Sequence, residues 1–223
     1  MLFDLRSRGR RRAVKGIYLF LAVLLAGGLI LFGVGTGTGG GGLLNAFNGG
    51  GNNQKQVISS EEKSALAQVK ANPNNPGGWG NLLQARWITA TQAPDYDAST
   101  GAFTAAGKKE LNGVATAWQH YTALTKNPDP DLAITAARAY AKLGNYSGAA
   151  KAWGVDTAAN PSSASGFECQ AITAYAAKQT RIGDLASAKA LTIVPKAQRT
   201  SLKQSFQAAK SSPSSAQTIA AQC

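Results

Sequence analysis

The segment "AYAKLGNYSGAAKAWGVDTAANP", residues 139–161, decides the fold. Its alanines and glycines recur at helical spacing, and two large rings, Tyr140 and Trp153, are set among them. Gly144 interrupts the period and Pro161 ends it, which predicts two helices joined at a tight turn. Small residues at the contact points let the helices approach closely. A bulky ring beside them then fills the groove to the next pair. No His, Cys or carboxylate cluster accompanies the rings, so packing explains them.

The same grammar extends in both directions. Ser59 with Glu62 forms a capping box ahead of "SALAQVKA", and Pro73 and Pro76 break that helix. A second helix begins near Gly78 and carries Trp79, Leu82, Leu83 and Ile88 at a period of about 3.6 residues. Residues 93–101 read as a loop. A long helix follows over 104–125, with Leu111, Val114, Trp118 and Tyr121 on one face. Asp129 is the N-cap and Pro130 the first residue of the next helix, which runs to Lys142. Helices are then predicted over 146–156, 166–180 and 185–191. A last one starts at Pro195, with Leu202 and Phe206 one turn apart. Residues 211–223 read as a loose tail. No stretch alternates like a strand, so the soluble part is all-α, a run of antiparallel helix pairs.

In the opening segment Tyr140, Gly144, Ala149, Trp153 and Pro161 stand where the tetratricopeptide repeat (TPR) places its first-helix aromatic, turn glycine, packing alanine, second-helix aromatic and terminating proline. The chain resembles that family over roughly residues 61–194. Upstream, Pro73, Trp79 and Leu82 are similar to another repeat entry. There Arg86 replaces the aromatic, and about twenty extra residues precede Ala117 and Tyr121. Downstream, Gly183 and Ala188 match a second-helix entry, in a repeat some five residues long in excess, with Thr192 at the aromatic position. The resemblance implies a solenoid of about three degenerate helix pairs, with the helix from Pro195 as a cap.

The N-terminus has another character. Residues 1–15 hold six basic residues against Asp4, and "GIYLFLAVLLAGGLILFGVG" follows with no charge until Lys55. Its apolar core, residues 17–34, spans roughly 27 Å at about 1.5 Å per residue, close to a hydrocarbon core of about 30 Å. A cleaved signal peptide has a shorter apolar region and a small-residue cleavage site, which this stretch lacks. The expected layout is a basic cytoplasmic arm (1–15), a transmembrane helix (16–35), a flexible Gly/Asn-rich linker (36–58), the helical domain (59–210) and the tail (211–223). The arginines keep the N-terminus inside, so the domain is expected outside the cytoplasmic membrane. The "GVGTGTGG" run lacks the strand and helix of a phosphate loop and reads as linker.

Chemistry is sparse. His120, the sole histidine, sits between Trp118 and Tyr121 on a helix and reads as a partly exposed packing residue, not a base. No nucleophile–base pair has a recognisable spacing, and Cys169, Cys223 and His120 match no zinc pattern. No catalytic residue, cofactor or metal is expected, and the protein reads as no enzyme. Asp95 and Asp97 flank Tyr96 in a loop better read as solvated than as a calcium or partner contact. In an extracytoplasmic domain Cys169 and Cys223 are candidates for a disulfide, the alternative being two free thiols, one of them buried.

The TPR resemblance implies a binding scaffold whose first helices line a concave, partner-binding face. Carried over by position, that face comprises Gln84, Trp87, Asp131, Ile134, Arg138, Lys142 and Arg181. Arg138 and Lys142 lie one turn apart, placed to clamp a carboxylate. The layout is similar to single-pass TPR subunits beside bacterial protein-export channels and envelope chaperones. A protein or peptide partner is therefore expected, with membrane contact through residues 16–35 and no nucleic acid. The chain carries 23 Lys+Arg against 11 Asp+Glu, for a net charge of +12. Seven basic residues between Lys178 and Lys210 face only Asp184. Two other readings follow: a basic module for an anionic envelope polymer or lipid headgroups, and an accessory subunit of a membrane enzyme.

Overall fold

The computed structural model describes the backbone from residue 51 and the side chains from residue 60. The basic arm, the apolar segment at 16–35 and most of the linker lie outside the described residues. Among the described residues no helix is long and apolar enough to cross a membrane.

The described chain is helical, as its patterning predicts. Helix α1 covers Gly51–Ala71, α2 Pro76–Ala90 and α3 Ala105–Leu124. Next come α4 (Pro130–Lys142), α5 (Tyr146–Ala159), α6 (Ala164–Ala176) and α7 (Thr180–Ile193). Helices α8 (Lys196–Ser211) and α9 (Pro213–Ala220) finish the chain. Because α1 begins at Gly51, Ser59 falls inside it and is not its cap. The loop expected at 93–101 contains a short strand, β1 (Tyr96–Asp97), which pairs antiparallel with β2 (Ala102–Phe103) just beyond it. Contacts from Ile58 to Cys223 form one unit.

Local chemistry sets the helix starts. Side chains of Asn75, Thr104, Asp129, Asn145 and Ser163 each accept a hydrogen bond from a backbone N–H in the first turn. Pro76 and Pro130 stand at the first helical position, where their missing N–H costs nothing.

Consecutive helices pack pairwise: α2 on α3, α4 on α5, α6 on α7. The last two pairs repeat. The caps Asp129 and Ser163 are 34 positions apart, as are Pro161 and Pro195. Helices α4 and α6 both have 13 residues, and α5 and α7 both have 14. The turn inside each pair also repeats. Gly144 has φ 74°, and 34 residues on Lys178 has φ 60°. The Asn145 N–H bonds the Tyr140 carbonyl at 2.8 Å, and the Gln179 N–H bonds the Ala174 carbonyl at 2.8 Å. Both are helix ends closed by a left-handed residue.

That register corrects the last pair. Gly183, expected at the turn, lies inside α7, and Lys178 makes the turn instead. Gly183 serves packing: a Cβ there would run into the Tyr175 ring.

The core explains the opening segment. Ala133, Ala136, Ala137 and Ala149 are all fully buried, so α4 and α5 meet over small side chains. Tyr140 and Trp153 are 6% and 5% exposed and belong to one core cluster, together with Leu82, Leu111, Val114 and Trp118. A second cluster joins α6 through α9 around Ile172, Tyr175 and Phe206. Arg86 is not aromatic because it does something else. Its Nε lies 3.1 Å from Glu62 and 3.8 Å from Glu110, tying α1, α2 and α3 together. Gly113 leaves the room its guanidinium needs. Burial, then the nearby Glu62 charge, pushes the Glu110 carboxyl up from its ordinary range.

Candidate partner-binding face

Helix α4 carries four of the seven expected partner-binding residues. Asp131, Arg138 and Lys142 are exposed, and Ile134 is half-buried against the core. The helix period places them along one side of α4. Two of them are engaged within the chain. Arg138 Nε donates to the main-chain carbonyl of Cys223 at 2.9 Å. Lys142 Nζ donates to the carbonyl of Ala221 at 2.9 Å. The pair thus reaches two main-chain oxygens just past the last turn of α9.

The segment that supplies those carbonyls was expected to be loose, and it is not. Ser212 caps α9 by accepting from the Ser215 N–H, and Pro213 takes the first helical position. Helix α9 packs across α6 and against α8. Ala216 and Ala220, one turn apart, are 0% and 1% exposed, and Ile219 packs on the same cluster. Cys223 is joined to Cys169 of α6 by a disulfide, with Cα atoms 5.6 Å apart. Among the described residues no cysteine is free.

The electrostatics of this arrangement are simple. The C-terminal end of a helix carries partial negative charge on its unpaired carbonyls, and cations are stabilised beside it. Arg138 and Lys142 are two such cations from a neighbouring helix, and their hydrogen bonds are charge-assisted. In the structure these cations meet main-chain oxygens just past α9, the helix that packs across α6.

The other expected residues lie elsewhere. Gln84 is exposed and lines a groove of about 270 Å³ between α1 and α2, with Glu61, Gln68 and Ile88. Trp87 is half-buried against the core. Arg181 is exposed on α7, the second helix of its pair, and so is not on a first-helix face. His120 is exposed and stacks on Trp79 with centroids 4.1 Å apart. Asp97 closes its own loop, accepting from the Ser99 N–H and hydroxyl and from the Thr100 hydroxyl. Those bonds hold its carboxyl down at about 2. No cluster of three potential metal ligands occurs among the described residues. In the basic C-terminal stretch, Lys210 pairs with Asp184 and Arg199 donates to the Val194 and Thr192 carbonyls, so both are engaged locally.

Residue-type reasoning found Arg138 and Lys142 but missed their occupant. A signal was present: "SP" at 212–213 has the same cap-then-proline form as "NP" at 75–76 and "DP" at 129–130. No family model, curated protein or solved structure matches this chain.

Proposed function

We propose that the chain is a membrane-tethered, non-enzymatic scaffold presenting a TPR-like groove to a protein or peptide partner on the extracytoplasmic side. The observation that carries this reading is the hold of Arg138 and Lys142 on the backbone carbonyls of a helical segment, which is peptide-binding chemistry already in use. The 34-residue recurrence of 13- and 14-residue helices supports the TPR likeness, that length being the period of the family. The Cys169–Cys223 disulfide supports an oxidising compartment, in agreement with arginines ahead of an apolar segment. Export or envelope assembly is the process that such a layout suits.

Affinity capture and crosslinking in membranes, with residues 1–50 retained, test the reading. A specific protein partner lost on Arg138→Ala/Lys142→Ala substitution is the expected result. Recovery of no specific partner, or of lipid or polysaccharide alone, overturns it.

A further inference from the structure

Segment 213–223 lies where a ligand of the α4–α6 face would lie. Its two ends are held differently. At the start, Ser212 alone separates α9 from α8, so the segment is tethered at close range. At the end, three attachments converge within three residues: Lys142 on Ala221, Arg138 on Cys223, and the Cys169 disulfide on Cys223. Between them, the buried surface of α9 rests largely on Ala216, Ile219 and Ala220, little apolar area for a free helix of eight residues. Helices this short are marginal alone in water. A covalent bond and two charge-assisted hydrogen bonds therefore add to this small buried area in holding the end of the segment.

We infer that the α4–α6 face is a receptor for the C-terminal end of a small-residue helix, and that the oxidised chain occupies it with its own segment 213–223 under a disulfide latch. This deepens the scaffold reading and rests on it. The foreign ligand would be a peptide helix with alanine-sized residues four apart, ending in exposed backbone carbonyls or a carboxylate. Opening requires a dithiol reductant. One of its thiolates attacks a sulfur of the Cys169–Cys223 bond and forms a mixed disulfide. Its second thiol then displaces the protein sulfur. Two electrons and two protons pass to the protein, leaving two cysteine thiols, and the reductant departs as its own disulfide. The freed segment still competes, at an effective concentration on the order of millimolar, because Ser212 keeps it close.

The test uses the full chain in detergent and a fluorescent peptide of residues 211–223 with serine for cysteine. The peptide is titrated into the oxidised chain, the dithiothreitol-reduced chain, and a Cys223→Ser/Ala216→Glu chain whose own segment cannot dock. The expected order of affinity is the double variant, then the reduced chain, with no binding to the oxidised chain. Adding Arg138→Ala to the double variant weakens binding about tenfold, the loss of one charge-assisted bond. Hydrogen exchange on the wild-type chain supplies a check independent of variant folding. Amides of 213–220 exchange faster on reduction, while those of 171–176 do not change. Equal binding to oxidised and open chains overturns the inference. So does failure of a folded double variant to bind, or unchanged exchange at 213–220 after reduction. A partner captured equally by oxidised and reduced chains, and lost on Arg138→Ala/Lys142→Ala substitution, sinks the latch and leaves the scaffold. Peptide binding in trans, with no protein ever captured, leaves the latch and sinks the scaffold.

Discussion

Two substitutions at Trp153 separate what its ring does from what its nitrogen does. The side chain is 5% exposed, and its Nε1–H has no hydrogen-bond partner among the described residues. Replacing it by Ala removes about 150–250 Å² of buried surface and leaves a cavity among Tyr140, Trp118 and the alanines, a loss of about 3–5 kcal/mol. Trp153→Phe is a different experiment. Phe buries on the order of 50 Å² less than Trp, which costs about 1.3 kcal/mol at about 25 cal/mol per Å². It also removes a buried, unpaired donor, whose desolvation costs about 1–3 kcal/mol. The two effects offset, so Trp153→Phe should lie between about 0.3 kcal/mol below and about 1.7 kcal/mol above the wild type, while Trp153→Ala falls by at least about 3. Urea unfolding followed by far-ultraviolet circular dichroism measures both. A Trp153→Phe loss above about 2.5 kcal/mol, approaching that of Ala, refutes the reasoning. It would mean that the indole nitrogen contributes a bond, or that the site tolerates no loss of shape.

The disulfide closes a separation of 54 residues, for which chain entropy gives about 4 kcal/mol. Reduction, Cys169→Ser and Cys223→Ser should therefore each lower Tm by about 8–16 °C by calorimetry, at about 2–4 °C per kcal/mol; unequal losses from the two substitutions would point to packing instead. The two equivalent turns should respond with opposite signs. Lys178→Gly relieves a left-handed lysine and gains about 0.5–1 kcal/mol, whereas Gly144→Ala loses about 1, both read from chemical denaturation. Asp97 should titrate near 2 by carboxyl NMR. Its folded value is depressed, so its contribution to loop order is present above about 4 and lost as pH falls towards 2; a midpoint near 4 would show that the Ser99 and Thr100 bonds do not hold in solution.

Much of the fold was legible because helix ends are decided locally. Asp129 caps and Pro130 starts α4 as their types require, and Gly144 turns the α4–α5 pair for want of a Cβ. The alanines of α4 and α5 announced close approach, and their burial follows. What stayed hidden depends on contacts across the chain. Nothing in a lysine signals a positive φ, so the α6–α7 turn at Lys178 is not legible in its residue type. Only the Tyr175 ring beside Gly183 explains that glycine. Arg86 breaks the aromatic pattern for Glu62 and Glu110, 24 residues away in either direction, at distances no local period encodes. The β1–β2 ribbon has two residues per strand, too short to show alternation.

The two cations on α4 bear on what any foreign ligand must overcome. They were expected to meet a partner, and in the folded chain they meet residues 221 and 223. An exposed arginine–lysine pair left in water would be screened, and it would bind a peptide end weakly. Here the pair is pre-organised by an intramolecular ligand whose sequence neighbours are alanines, which fill α6 without large side chains to evict. A competitor therefore gains little by matching the segment and must either bury more apolar surface on α6 or arrive where the Cys169–Cys223 bond is open. On the latch proposal the Cys169–Cys223 bond, 54 residues apart in sequence, acts together with the two cations. The search for partners is therefore to be run under both oxidising and reducing conditions.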